Sequence, residues 1–433
     1  MQLRNVVLVD GARSAFARGA RGKLVATRLD EVGAQVLRAL LDRHPKVTDQ
    51  MIEDVGVGMV AGGPNEFHYV GNIQRLAGLP LEACTFHSNR QCGSSMETLQ
   101  RIAMSIMIGT TDCGIAMGAE RMGRVLGGGG GEQTRVNTMT KKVAELNAAQ
   151  LALAPDHDEY FSVEFPEYIR KSPWLQAMTQ TAQNVAEVYG LSREELDQYA
   201  VDSHAKGHRA YESGFYKDEV VPLEVEDPVF DDEGKWVEAE TGPTVTFDRD
   251  ECIRAGTTLE KLAKLKPLRG VVSFDDNELV ISAGNACPTN DGVSATLLMS
   301  EEKALALGLE PLARIVGMGV GGVKPQLMGL GPVVSSKKAF RHAGIEAGQI
   351  DRVEFNEAFS AQVIPSLREL GIPADRVNTN GGSLGIGHPL GATGARLVTT
   401  VAKELRRSGG RYGLATQCIG AGMGISTVLE RLD

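Results

Sequence analysis

Short apolar runs alternate along this chain with longer stretches of helical spacing. Val6–Val9, Gly114-Ile115-Ala116-Met117, Arg352-Val353-Glu354-Phe355 and Tyr412-Gly413-Leu414-Ala415 have the length of buried strands. Between them, Glu31–Arg43 and Ala392–Arg406 carry apolar residues at the helical period, as do Met96, Leu99, Ile102, Ala103 and Ile106. This alternation predicts an α/β fold.

The pattern repeats. Arg75-Leu76-Ala77-Gly78-Leu79-Pro80 is matched by Arg368-Glu369-Leu370-Gly371-Ile372-Pro373 about 300 residues later. Ile52-Glu53-Asp54-Val55 pairs with Ile350-Asp351-Arg352-Val353, and Gly114-Ile115-Ala116 with Gly413-Leu414-Ala415, in the same order. A duplicated α/β unit is expected, with one half over residues 1–123, completed by about 271–300, and the other over 301–433. Residues 124–270 fall outside the repeat and read as an inserted loop domain covering the site. The insertion starts with a glycine joint at 127–131 and a helical pattern over Val136–Leu153, and its charged stretch Glu224–Lys235 reads as a surface excursion.

Composition narrows the class. Hydrophobic residues make up 42% and charged residues 23%, as in ordinary globular proteins. The net charge of −10, with no basic run interleaved with aromatics, argues against nucleic acid as a partner. No apolar stretch reaches the roughly 20 residues of a membrane span, and the opening run Val6–Val9 is too short for a signal peptide, so a cytoplasmic location is expected. Six scattered cysteines without a CxxC pair fit a reducing compartment and no metal site; Cys84, Cys113 and Cys252 read as small fillers.

Cys92 stands apart. It follows Asn89-Arg90-Gln91 and precedes Gly93-Ser94-Ser95 and a helical pattern, so its thiol is expected at a helix start. There, unpaired N–H groups and the macrodipole lower a thiol pKa. The C-terminal half holds three further segments dense in chemistry: Asn356-Glu357-Ala358-Phe359, Asn380–Gly391 with Gly387-His388-Pro389, and Cys418-Ile419-Gly420. The second is not a dinucleotide fingerprint, because its third glycine is missing. The repeat places the Cys92 helix start and the His388 segment at similar stations of the two halves, where they can face each other.

These four segments, in this order and spacing, resemble the thiolase family, most of all degradative 3-ketoacyl-CoA thiolases, including β-subunits of fatty-acid oxidation complexes. The resemblance implies two βαβαβ halves in a five-layer α/β/α/β/α arrangement with an inserted loop domain. It implies thiolysis of 3-oxoacyl-CoA, with Cys92 as the acyl-carrying nucleophile, His388 as its base and Cys418 as the second acid/base. One oxyanion site comes from His388 and a water held by Asn356, the other from the amides of Cys92 and Gly420. Met178, Arg254, Met328, Ala358 and Phe359 match positions along the CoA channel, as does Cys287, which stands where a serine is usual. Coenzyme A enters as a substrate, and no resident cofactor or metal is implied. A homodimer or homotetramer is expected, and a hydratase/dehydrogenase is a candidate partner subunit. An acetoacetyl-CoA thiolase working in the synthetic direction, or a non-catalytic acyl-CoA- or sterol-binding relative, are the alternatives.

Overall fold

A computed structural model describes residues 3–60, 69–123, 160–172, 176–273 and 275–432. The glycine joint at 127–131 and the helical pattern of Val136–Leu153 lie outside these residues. In chain order the first half contains β1 (Val6–Ser14), α1 (Leu29–Asp42), β2 (Asp54–Gly58), α2 (Tyr69–Leu76), β3 (Cys84–Ser88), α3 (Ser94–Met107) and β4 (Cys113–Arg121). Helices α4 (Met178–Val188) and α5 (Arg193–Glu212) follow, then a two-stranded hairpin of Leu223–Phe230 and Trp236–Phe247. Strand β5 (Asn290–Ser300) returns to the first half. The second half contains β6 (Ala313–Gly322), α6 (Gly331–Ala343), β7 (Ile350–Phe355), α7 (Ser360–Leu370), α8 (Leu390–Ser408), β8 (Tyr412–Ile419) and β9 (Met423–Arg431).

The principal strands form one hydrogen-bonded path in the order β7-β8-β9-β6-β1-β5-β4-β2-β3. The two halves meet where β1 and β6 pair antiparallel, Val7 opposite Arg314. Outward from that seam, each half repeats the same order. In the first, β2 and β4 are parallel with Val55 opposite Ile115. In the second, β7 and β8 are parallel with Val353 opposite Leu414. These are the residues that the sequence repeat matched, so the duplication extends to strand register. The halves differ at their outer edges. Strand β3 pairs with β2 over five positions, whereas its counterpart in the second half is the isolated bridge of Val377 to Val353.

Three hydrophobic clusters account for the layering. One packs α1 and α2 on the outer face of the first half, through Leu29, Val36, Leu40, Ile73 and strand residues such as Val55 and Ile115. Another packs Phe340, Val363 and Leu367 of α6 and α7 on the outer face of the second half. Between them, α3 and α8 share a cluster with β1, β4, β5, β6, β8 and β9. Helices α3 and α8 are therefore covered on most sides. Some of their polar positions, which an amphipathic reading sends to solvent, are buried and paired instead. Gln100 of α3 donates to the Ser426 carbonyl at 2.9 Å, and Thr98 Oγ1 donates to the Ser94 carbonyl at 2.9 Å.

The approach of α3 to α8 leaves no room for a side chain. A Cβ on Gly394 would lie 2.5 Å from the Met96 nitrogen, and one on Gly118 would lie 2.0 Å from the Gly391 oxygen. Across the same contact, the Ala395 N–H donates to Ser95 Oγ at 2.9 Å.

The charged stretch Glu224–Lys235 lies on a surface hairpin as expected, with only Val225 of it buried, beside Leu223 in the first-half core. One sequence expectation is corrected. Cys84 is no core filler, because it is exposed on β3, whereas Cys113 and Cys252 are buried.

Gly394→Ala forces backbone apart inside the middle layer, so it is expected to destabilise the protein by about 3 kcal/mol. Gly348→Ala, where no atom lies within 4 Å of the added methyl, is the control. Equal denaturation midpoints for the two variants would contradict the close contact.

Candidate active site

The loop between β3 and α3 is tied into a tight turn by its own side chains. Asn89 Oδ1 accepts the Gln91 N–H at 2.9 Å, Ser94 Oγ accepts the Arg90 N–H at 3.0 Å, and Ser94 Oγ donates to the Gln91 carbonyl at 2.5 Å. Gln91 takes a left-handed φ of 46°. Gly93 is the N-cap of α3, which puts Cys92 one residue before it. The loop rests on the end of β8: a Cβ on Gly93 would meet Ile419 Cδ1 at 2.5 Å, and one on Gly420 would meet Gln91 Oε1 at 1.8 Å. Both positions require glycine for closeness. That closeness aims the Gly420 amide at the Cys92 sulfur, alongside the Cys92 amide itself. The Gln417 side chain holds the Cys92 carbonyl.

The helix start is where the sequence placed it, but the expected lowering of the thiol pKa is overturned. Burial of the sulfur pushes Cys92 up to about 11. The two amides oppose this shift, and the nearby Glu120 carboxylate adds to it. The residue keeps part of its surface exposed while its sulfur is desolvated.

His388 lies between Gly387, whose φ of 117° only glycine adopts easily, and Pro389, the N-cap of α8. Its N–H donates to Asn290 Oδ1 at 2.9 Å, and a Cβ at 387 would collide with that same side chain. The ring is buried, and desolvation, followed by the Arg396 charge, pulls its pKa down to about 3. Its hydrogen bonds settle the tautomer. Thr393 Oγ1 gives its one proton to the Pro389 carbonyl at 2.8 Å. The 2.7 Å contact between Thr393 Oγ1 and His388 Nδ1 must then be donated by Nδ1–H. That leaves Nε2 with a lone pair, facing the Asn356 amide nitrogen at 3.3 Å.

Cys418 ends β8, is fully buried, and has its thiol pushed far up by desolvation and by the charge of Cys92. It shares a hydrophobic cluster with Met328, Ala358 and Phe359, against which Cys287 packs. The Cys287 amide donates to the Ala358 carbonyl at 2.9 Å. Burial, followed by the charge of Cys92, raises its thiol to about 12. The structure thus gathers Cys287, Met328, Ala358 and Phe359 around Cys418, with Cys92 within electrostatic reach. It does not bring Met178 and Arg254 into that cluster. Met178 is half-exposed at the first turn of α4, and Arg254 is exposed, its backbone N–H donating to His204 Nδ1 at 3.3 Å.

The whole chain matches known proteins. Residues 6–302 match the family model of the thiolase N-terminal domain, and residues 309–431 match that of the thiolase C-terminal domain. The chain belongs to the thiolase family. It is 36% identical over 433 residues to a 3-ketoacyl-CoA thiolase of Vibrio vulnificus, covering 99% of this chain and 100% of that one. It is also 36% identical over 436 residues to a β-ketoadipyl-CoA thiolase of Acinetobacter baylyi, covering 99% of this chain and 100% of the relative. Human mitochondrial 3-ketoacyl-CoA thiolase superimposes with a TM-score of 0.80 at 28% identity, over 100% of both chains. The Bacillus anthracis acetyl-CoA acetyltransferase does so with 0.81 at 31%, also over 100% of both. The expected thiolase fold is thereby established.

Several residues at this thiolase site carried no signal in the sequence. Thr393 sits one helical turn beyond Pro389, a position that reads as an ordinary helix residue. Gln417 and Gln362 point polar side chains into a core where strand and helix patterns predict nothing special. The Gln362 amide nitrogen donates to the Asn356 carbonyl at 2.8 Å. Glu120, fully buried, accepts the Gly391 N–H at 2.8 Å and the Val60 N–H at 3.0 Å, tying the His388 loop to β4.

A thiol near pKa 11 is protonated at neutral pH, and its thiolate fraction grows with rising pH. Alkylation of Cys92 by iodoacetamide, followed on its own peptide by mass spectrometry, is expected to quicken about tenfold per pH unit between roughly pH 7 and 9. A plateau below about pH 8 would instead reveal a preformed thiolate–imidazolium pair.

Proposed function

We propose that this thiolase cleaves 3-oxoacyl-CoA with CoA, giving acetyl-CoA and an acyl-CoA two carbons shorter, as in fatty-acid β-oxidation. One observation carries the reading: the Cys92 sulfur meets the Gly420 amide and acts on the Cys418 thiol, while His388 Nε2 faces the amide of Asn356, whose carbonyl is held by the Gln362 side chain that also bonds Cys418. Full-length relatives named 3-ketoacyl-CoA thiolase support the substrate class.

In this reading the Cys92 proton passes to His388 Nε2 as the sulfur attacks the keto carbon. Because both groups are neutral in the free enzyme, the transfer accompanies attack. The amides of Cys92 and Gly420 then present donors to the oxygen of the attacked carbonyl, and the protonated imidazole, with the Asn356 amide nitrogen acting through a water, presents donors to the oxygen of the departing enolate. Breaking the Cα–Cβ bond leaves an acyl-cysteine and the enolate of acetyl-CoA. The Cys418 thiol protonates the enolate carbon, a task that suits an acid kept neutral by burial. The thioester oxygen rests on the amides of Cys92 and Gly420. CoA then gives its thiol proton to the Cys418 thiolate and attacks the acyl carbon, and Cys92 leaves, taking back the proton held on His388.

Coenzyme A is a substrate here and no resident cofactor is needed. Met178 and Arg254, on the rim, and Cys287, Met328, Ala358 and Phe359, near Cys418, are our candidates for contacts with its pantetheine arm. We assign the chain to the cytoplasm as at least a homodimer, with a hydratase/dehydrogenase as candidate partner subunit. The Bacillus anthracis neighbour favours a second reading, acetyl transfer between acetyl-CoA molecules.

Incubation with 3-oxoacyl-CoA in the absence of CoA is expected to add one acyl group to the intact protein, and none to Cys92→Ala. The variant is expected to lose more than about 10⁴-fold in kcat. An acylated Cys92→Ala would remove the assigned nucleophile. Thiolysis confined to the four-carbon substrate would favour the second reading.

A further inference from the structure

Behind the Asn356 amide runs a buried line of hydrogen bonds. Arg396 of α8 is fully buried and pairs with Glu354 at the end of β7. Its Nη2 donates to Ser383 Oγ at 3.0 Å. Ser383 Oγ lies 2.7 Å from Asn356 Oδ1, and Asn356 Nδ2 lies 3.3 Å from His388 Nε2. Ser383, Asn356 and Arg396 have no exposed surface, and His388 is 2% exposed, so no bulk water enters this line.

The direction of each bond follows from its origin. A guanidinium only donates. Ser383 Oγ must therefore accept from Arg396, and its single proton is left for its other neighbour, the Asn356 side chain. The group facing Ser383 is then the amide oxygen, and the group facing His388 is the NH₂. A reversed amide would leave the Ser383 proton without an acceptor among the described residues, at a cost of about 1–3 kcal/mol for a buried group. It would also turn a carbonyl oxygen toward Nε2, which favours a proton there and fills the lone pair that the base needs.

We propose that Ser383 is a positioning residue: it carries the donor polarity of Arg396 to the Asn356 amide, so that the amide nitrogen faces His388 and Nε2 is held as an unprotonated acceptor. Thr393 acts on the opposite ring nitrogen to the same end. The ring is thus held from both sides, one hydroxyl accepting from Nδ1–H and the other acting through an amide on Nε2. Ser383 itself touches neither substrate nor thiol. Its consequence for rate rests on the thiolysis reading above; its consequence for the tautomer does not.

The test compares Ser383→Ala and Ser383→Thr by thiolysis kinetics and by ¹⁵N NMR of histidine-labelled protein. Ser383→Ala is expected to lower kcat by about 10- to 100-fold while KM stays within about threefold. The His388 signals are expected to change from Nδ1–H alone to a mixture of tautomers. Ser383→Thr, which keeps the hydroxyl, is expected to restore both. If Ser383→Ala does not fold, Ser383→Cys, which keeps the volume and a weak donor, is expected to show the same changes in smaller measure. A wild-type kcat together with a wild-type tautomer in the variant overturns the proposal. If the unaltered protein shows no thiolysis, the assigned reaction fails, and the tautomer comparison alone still decides the relay.

Discussion

Everything at the site depends on how closely α3 approaches α8. Cys92 stands just before one helix and His388 just before the other, so the placement of thiol and imidazole is set by the backbone contact of two rods. Glycine at 394 removes the side chain that would hold the rods apart, and glycine at 118 on β4 lets both rods lie against that strand. The Ser95–Ala395 hydrogen bond fixes their register. Packing against strands of both halves then buries the two helices. A contact made of backbone has no soft side chain to absorb error, so the positions of the reacting groups are inherited from the rigid middle of the molecule rather than from loops.

The same burial decides the electrostatics. Desolvation favours the uncharged form of both the thiol and the imidazole, and here it exceeds the help that two amides give the thiolate. Both groups are thus uncharged at rest, and in the proposed reaction the amides of Cys92 and Gly420 are already in place as donors. A preorganised dry pocket of this kind spends little on reorganisation when the oxyanion forms. It also protects a reactive cysteine from unproductive chemistry while no substrate is bound, since the thiolate is the reactive species.

The sequence revealed the architecture because duplication leaves a signal that needs no alignment. The matches of Asp54-Val55 with Arg352-Val353 and of Gly114-Ile115 with Gly413-Leu414 return as equivalent strand pairings. Cys92, His388, Asn356 and Cys418 were legible because their segments are short, glycine-framed and chemically unusual. What stayed hidden was of two kinds. Thr393, Ser383 and Gln417 act through hydrogen bonds whose partners are fixed by helix phase and loop path, neither of which residue spacing reports. The thiol pKa was misjudged because a helix start is a local feature, whereas desolvation comes from β8, α8 and the Cys418 cluster, which are distant in sequence. The buried start of the hairpin at Leu223 was masked by the acidic residues that alternate with it.

Strand β5 has a further consequence for how the chain is made. It inserts between β1 and β4 and pairs with both, Leu8 with Leu298 and Ile115 with Leu297. The first half of the molecule thus lacks its central strand until residue 300 has left the ribosome. Until then β1 and β4 present unpaired edges and uncovered Val and Ile side chains, the surface on which nascent chains aggregate. Contacts between such distant segments also slow folding, because the intervening chain must be ordered before they form. The Cys92-bearing half is synthesised first, yet its sheet is completed only when the second half begins.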